Sequence, residues 1–176
     1  DVVLATVVST WGSAPRAIGA KMALTASGKM CGSVSGGCVE GAVVEAAKQV
    51  FNTGQSNLLE FGVTDDTAWE LGLACGGTIS VFVQLLNEDV FRAIRASDNE
   101  RLAILTVIGG SKNLLGRQVV VTENGDKTGS IDPNLDNDAL SIARHSLQQG
   151  ASKTAKLQNI IELFIEVVSP PLTLIL

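Results

Sequence analysis

The stretch GKMCGSVSGGCVEGAVVEAAKQVFNTG, Gly28–Gly54, has a partner elsewhere in the same chain. GKMCGSV at 28–34 matches GDKTGSI at 125–131, and VEGAVVEAAKQVFNTG at 39–54 matches LDNDALSIARHSLQQG at 135–150. Working outward, LATVV at 4–8 matches ILTVI at 104–108, and IGAKMALT at 18–25 matches LGRQVVVT at 115–122. VFVQ at 81–84 matches LFIE at 163–166. The offset stays near 96 to 100 and falls to 82 at the last pair, so the first copy carries about fourteen extra residues between its helix and its last strand. A period this long implies a duplicated lobe and not a solenoid.

Each copy reads as strand, strand, strand, helix, strand. Val2–Val8 is a β-branched apolar run, and Lys21–Thr25 with Met30–Val34 flank the turn ASGK as a hairpin. Cys38–Asn52 has Val39, Val43, Ala46, Ala47 and Val50 at helical spacing and stops at Gly54. Leu58–Val63 and Thr78–Leu86 read as strands. The second copy gives strands Arg101–Ile108, Gln118–Thr122, Thr128–Ile131 and Ile160–Val168, with a helix over Asn134–Gln149. The expected class is α/β in the mixed α+β sense, two duplicated lobes forming one compact domain over 1–169. Repeat one spans about 1–87 and repeat two about 101–168.

The 176 residues are 45% apolar and 18% charged, a globular balance. A formal net charge of −5 and a pI near 4.8 argue against a general nucleic-acid surface. No run of 18 apolar residues marks a membrane span, and no signal-peptide pattern is present. Three cysteines, Cys31, Cys38 and Cys75, are an odd number for a secreted disulfide framework, so a cytoplasmic setting is expected. They contain no CxxC unit, which argues against structural zinc.

Positions shared by the copies serve the scaffold, so residues present in only one copy need another reason. The second copy has DPN where the first has SGGC, and no equivalent of TDDTAWELGLACGGT. GGC at 36–38 and ACGG at 74–77 mirror each other, each a cysteine beside two glycines. Gly36, Gly37, Gly76 and Gly77 allow backbone N–H groups to approach an anion, and a helix starting near Cys38 adds a positive dipole end. That setting favours thiolate at Cys38 or Cys75, and Ser33 and Ser35 add hydroxyl donors. Cys38 as a small buried helix-start residue, with glycines that only shape a turn, is the structural alternative. In TWGSAPRAIGAKM, Arg16 and Lys21 suit a phosphate and Trp11 suits stacking on a planar heterocycle; an ordinary solvated loop is the alternative. Asp65 and Asp66 read equally as helix caps or as a general base. His145, the one histidine, falls inside the second helix and reads as a surface or partly buried residue.

The strings ATVVSTWGSAPRAIGAKM, GSVSGGCVEGAVV, FGVTDDTAWELGLACGGTISVFV and LFIEV resemble the N-terminal domain of the XdhC/CoxI family over essentially the whole chain. The resemblance implies an accessory factor for molybdenum hydroxylases such as xanthine dehydrogenase or carbon monoxide dehydrogenase. Such a factor would bind molybdenum cofactor (molybdopterin), hold it during sulfuration by a cysteine desulfurase, and deliver it to the apo-enzyme. It places Cys38 or Cys75 near molybdenum or in sulfur relay, with Trp11 on the pterin and the glycines, Arg16 or Lys21 at the phosphate. Cys31, whose counterpart is Thr128, is assigned to structure. Family proteins commonly continue into a Rossmann-type domain. By that comparison PPLTLIL, Pro170–Leu176, reads as a linker and first strand of a missing domain, with a natural single-domain member bearing a short tail as the alternative, and its apolar tail favours a homodimer. Two other functions stay open on the residues alone: a cysteine-dependent sulfurtransferase or thiol hydrolase, and a non-catalytic assembly module.

Overall fold

A computed structural model describes residues 1–37, 39–62, 77–97 and 100–170. The chain divides into two compact units, Asp1–Leu86 and Asn87–Leu176.

The first unit contains β1 (Val2–Trp11), β2 (Lys21–Thr25), β3 (Met30–Gly32), α1 (Glu40–Thr53), β4 (Asn57–Phe61) and β5 (Thr78–Leu85). Its five strands form one sheet in the order β3-β2-β1-β5-β4, with every neighbour antiparallel. Strand alternation sends one set of side chains to one face. Val3, Ala5 and Val7 of β1, Met22 and Leu24 of β2, and Ile79, Val81 and Val83 of β5 are all buried there. α1 covers that face with Val43, Ala46, Ala47 and Val50, the apolar positions that the 3.6-residue period groups together. The helix ends at Gly54, whose φ of 70° closes it in the left-handed conformation that glycine adopts freely.

The second unit contains α2 (Glu88–Ala96), β6 (Leu102–Gly109), β7 (Gln118–Thr122), β8 (Lys127–Gly129), α3 (Asp136–Gln149), β9 (Lys153–Leu157) and β10 (Ile161–Val168). Its sheet repeats the first in the order β8-β7-β6-β10-β9, again antiparallel throughout. Ala139, Ala143 and Leu147 of α3 pack on Ala103, Leu105, Val107, Leu163 and Ile165. The fully antiparallel pairing makes the fold α+β, with the same element order in both units.

Two elements lie outside the sequence expectation. β9 adds a strand after α3, so after α2 the second unit runs strand, strand, strand, helix, strand, strand, as the first does. Its KTAKL is short and lysine-bearing, as an edge strand tends to be, and this hid its strand character. α2 has no counterpart in the first unit. Asn87 caps it, its Oδ1 accepting from the N–H groups of Asp89 (3.1 Å) and Val90 (3.2 Å). Val90 then packs against Leu102, Ile104 and Val120, on the sheet face opposite α3. β1 also runs three residues past its expected end, which puts Trp11 on a strand. Among the described residues no helix is long and apolar enough to cross a membrane.

Ser146 sits fully buried in α3, and its Oγ has no hydrogen-bond partner among the described residues. The matching residue in α1 is Val50, also fully buried. Replacing Ser146 by alanine removes an unsatisfied hydroxyl and improves helix propensity, so Ser146→Ala is expected to stabilise the chain by about 1 kcal/mol. The check is a rise in the urea midpoint at unchanged slope.

Candidate functional site

The strand registers collect the candidate residues at one end of the first sheet. Trp11, at the end of β1, pairs with Thr78, the first residue of β5. Lys21 opens β2 beside Thr6, Gly32 closes β3 beside Met22, and Phe61 closes β4 beside Ile79. The loop 33–37, the start of α1 and both attachment points of residues 62–77 therefore share this end. Residues 62–77 separate β4 from β5 here, whereas only 158–160 separate β9 from β10 in the second unit. There the chain reverses through Gln158 (φ 49°) and Asn159 (φ 61°), a tight two-residue turn.

The centre of the site is a residue that sequence reasoning passed over. Glu40 is the first residue of α1, and its carboxylate turns back on the loop before it. Its Oε1 accepts from Ser33 Oγ (2.8 Å) and from the amides of Val34 (3.3 Å), Ser35 (2.9 Å) and Gly36 (3.0 Å). Its Oε2 accepts from the Gly37 amide (2.9 Å) and from Ser35 Oγ. Ser33 Oγ also accepts from the Gly36 amide (2.9 Å), and Ser35 Oγ from the Val39 amide (3.0 Å). Burial pushes the Glu40 carboxyl up, but the bonds from the Ser35 hydroxyl and amide and the Ser33 hydroxyl outweigh it, lowering it to about 2.

Ser33, Ser35, Gly36 and Gly37, which the sequence offers as donors to an anion, all donate to Glu40 in this structure. The loop is a nest already filled by an internal anion. Gly36 (φ 81°) and Gly37 (φ 125°) are needed for backbone conformation, since a Cβ at either would meet open space. α1 also begins at Glu40, two residues later than expected.

The second unit carries the same clasp in another form. Asp136, first residue of α3, accepts from Ser130 Oγ (2.8 Å) and the amides of Ile131 (3.0 Å) and Asp132 (3.3 Å). Lys127 Nζ adds an ion pair at 2.7 Å. Arg117 Nη1 donates to the Ile131 carbonyl (3.0 Å) and braces that loop from the other side. Burial raises the Asp136 carboxyl, and the bonds from Lys127, Ser130, Ile131 and Asp132 bring it below its ordinary value. Glu40 and Asp136 stand at matched positions, which read as scaffold, and the acid seven residues after Ser33 is the sequence signal for the clasp.

The other candidates are distributed as follows. Trp11 is 72% exposed, and Arg16 is exposed in the β1–β2 loop. Lys21 Nζ donates to the Gly19 carbonyl at 3.3 Å. Gly77 is buried where a Cβ would lie 2.6 Å from the Trp11 carbonyl oxygen and 2.5 Å from that of Ser13, so only glycine lets these backbones meet. Cys38, Cys75, Gly76, Asp65 and Asp66 lie outside the described residues. Cys31 is exposed on β3, and His145 is exposed on α3.

The model of the XdhC and CoxI family matches residues 1–62. The chain belongs to the XdhC and CoxI family. One relative of this XdhC/CoxI chain is a Bacillus subtilis protein named as a probable xanthine dehydrogenase subunit, 31% identical over 130 residues, or 71% of this chain and 38% of that protein. Another is the molybdenum cofactor insertion chaperone PaoD of Escherichia coli, 36% identical over 85 residues, covering 48% of this chain and 26% of that one. A crystal structure described as a xanthine dehydrogenase from Bacillus halodurans superimposes with a TM-score of 0.67 over 96% of this chain and 48% of its own, at 19% identity, and so speaks for the fold. The chain thus spans well under half the length of either curated relative.

Glu40 gives this XdhC/CoxI chain an acid signature. Its carboxyl lies below its ordinary value near 4.5, so its contribution is complete above about pH 4.5 and is lost as the pH falls towards 2. Glu40→Gln is expected to lower stability at pH 7 by about 1–2 kcal/mol, allowing for partial exposure. Urea titrations of both proteins at pH 7 and pH 3 should show that gap narrowing in acid.

Proposed function

We propose that this chain is an accessory factor that takes molybdenum cofactor as cargo, supports its sulfuration and delivers it to a molybdenum hydroxylase. The observation that carries the reading is the asymmetry between the units. The glycine-bearing loop 33–37 and both ends of the 62–77 segment meet at one end of the first sheet, and the second unit replaces them with a shorter loop and a tight turn. The names of two relatives, one a probable xanthine dehydrogenase subunit and the other a molybdenum cofactor insertion chaperone, point the same way.

The cargo presents a phosphate, a planar pterin and a soft metal held by sulfur. With the loop amides engaged by Glu40, the phosphate falls to Arg16 and Lys21, whose fixed charges do not depend on those amides. Trp11, largely exposed beside this end, offers a face to the pterin. Cys38, bonded to Gly37, and Cys75, two residues before Gly77, would supply thiolates, which suit a soft metal and sulfur exchange. In this reading a cysteine desulfurase provides the sulfur, the client is the apo-enzyme of a molybdenum hydroxylase, and the work takes place in the cytoplasm as a homodimer.

A cysteine-nucleophile enzyme fits less well. Such chemistry asks for a base within hydrogen-bond reach, and the first unit, residues 1–86, holds all three cysteines and no histidine.

Anaerobic titration of molybdenum cofactor into the chain is expected to show stoichiometric binding that falls at least about tenfold in Cys38→Ser or Cys75→Ser, a loss near 1.4 kcal/mol. Wild-type binding retained in both variants would remove the cysteines from the mechanism, and no binding by the wild type would remove the cargo reading for this chain.

A further inference from the structure

We infer that Glu40 is a positioning residue: its carboxylate fixes the loop 33–37, and the reactivity of the Cys38 thiol, which follows this loop in the sequence, depends on it. The role assigned to Cys38 rests on the proposed function, whereas the clasp itself is read from the geometry.

The argument is one of matched lengths. From Ser33 to Glu40 is seven residues, and from Ser130 to Asp136 is six. The first loop is one residue longer, and its acid is one methylene longer. Glu40 uses that reach to gather six donors, where Asp136 gathers four. The added residue falls within 35–38, which stands against 132–134 in the second copy, and the amides of Gly36 and Gly37 in that stretch end on the carboxylate. Without that acceptor, neither glycine has a Cβ contact to confine it. Cys38 follows directly in the chain, and Val39 is then anchored through Ser35 Oγ. The clasp therefore bonds the amides of Gly37 and Val39, the residues that flank Cys38 in the sequence. Structural need alone does not explain the difference, because the second unit joins the same strand to the same helix with the shorter loop and the shorter acid.

The test uses the full chain with Cys31→Ser and Cys75→Ser, so that iodoacetamide reports Cys38 alone. Amide hydrogen exchange is read at Gly36 and Gly37. In Glu40→Gln and Glu40→Asp, exchange at both glycines is expected to accelerate at least about tenfold and Cys38 alkylation to change at least about fivefold. Glu40→Asp combined with deletion of Gly37 reproduces the length match of the second unit and is expected to restore protection at Gly36. Asp136→Asn is expected to leave Cys38 alkylation unchanged. Should the Glu40 variants fail to fold, Ser33→Ala removes one donor while keeping the acid, and the same changes are expected at smaller size. Rates within about twofold of wild type in Glu40→Gln, or in Ser33→Ala where that variant is the one read, would overturn the inference. So would a length-matched variant no better protected than Glu40→Asp, or an equal alkylation change in Asp136→Asn. None of these readouts involves molybdenum cofactor, so failure of cofactor binding and failure of the clasp are separate results.

Discussion

A carboxylate at the first position of a helix, folded back onto the amides of the loop that leads into it, is the interaction on which each unit depends. The strand-to-helix connection must reverse the chain over the edge of a sheet, and it leaves backbone N–H groups with no ladder or helical partner. In the first unit, ordering Gly36 and Gly37 costs about 2–4 kcal/mol of backbone entropy. Hydrogen bonds to a charged acceptor contribute about 1.5–3 kcal/mol each at best, and somewhat less at a partly exposed site. Two such bonds to the glycine amides are enough to offset the loss, which is why this loop can hold two positive φ angles and still be defined.

The two units solve one problem with different chemistry. Asp136 has a lysine as ion-pair partner, and its loop has an arginine brace. The matching positions in the first unit are Met30 and Ala20, and the donors to Glu40 among the described residues are all neutral. Met30 is 60% exposed, so the space that Lys127 spans in one unit stays open to solvent in the other. A site that recruits its own anion from the protein has also changed what it can offer a ligand. Its loop amides already end on the Glu40 carboxylate.

Much of the scaffold was legible because repetition tests itself. β2, β7 and the two longer helices fall where aligned apolar residues put them. β9 escaped because Thr154 and Lys156 face solvent on an edge strand, where alternation is written in lysine and threonine instead of valine. α2 escaped because no copy of it exists to compare, although Asn87 followed by two acids is a helix-start pattern. For the candidate site, Gly36, Gly37 and Gly77 were legible as glycine-rich connections, and the registers bring them to one end of the first sheet. Free amides were read as open donors, however, since a linear sequence does not say that a side chain four residues onward will reach back to occupy them.

The β4–β5 connection shows how a duplicated scaffold can diverge at small expense to its stability. The ends of β4 and β5 are already held side by side by the Phe61–Ile79 register, so whatever joins them closes a gap that the sheet itself defines. Loop closure scales with the logarithm of length, and lengthening a three-residue connection to sixteen adds only about 1.5 kcal/mol. A hairpin tip of this kind is a place where evolution can install a new segment without renegotiating the register of any strand. The first unit has used that licence and the second has not.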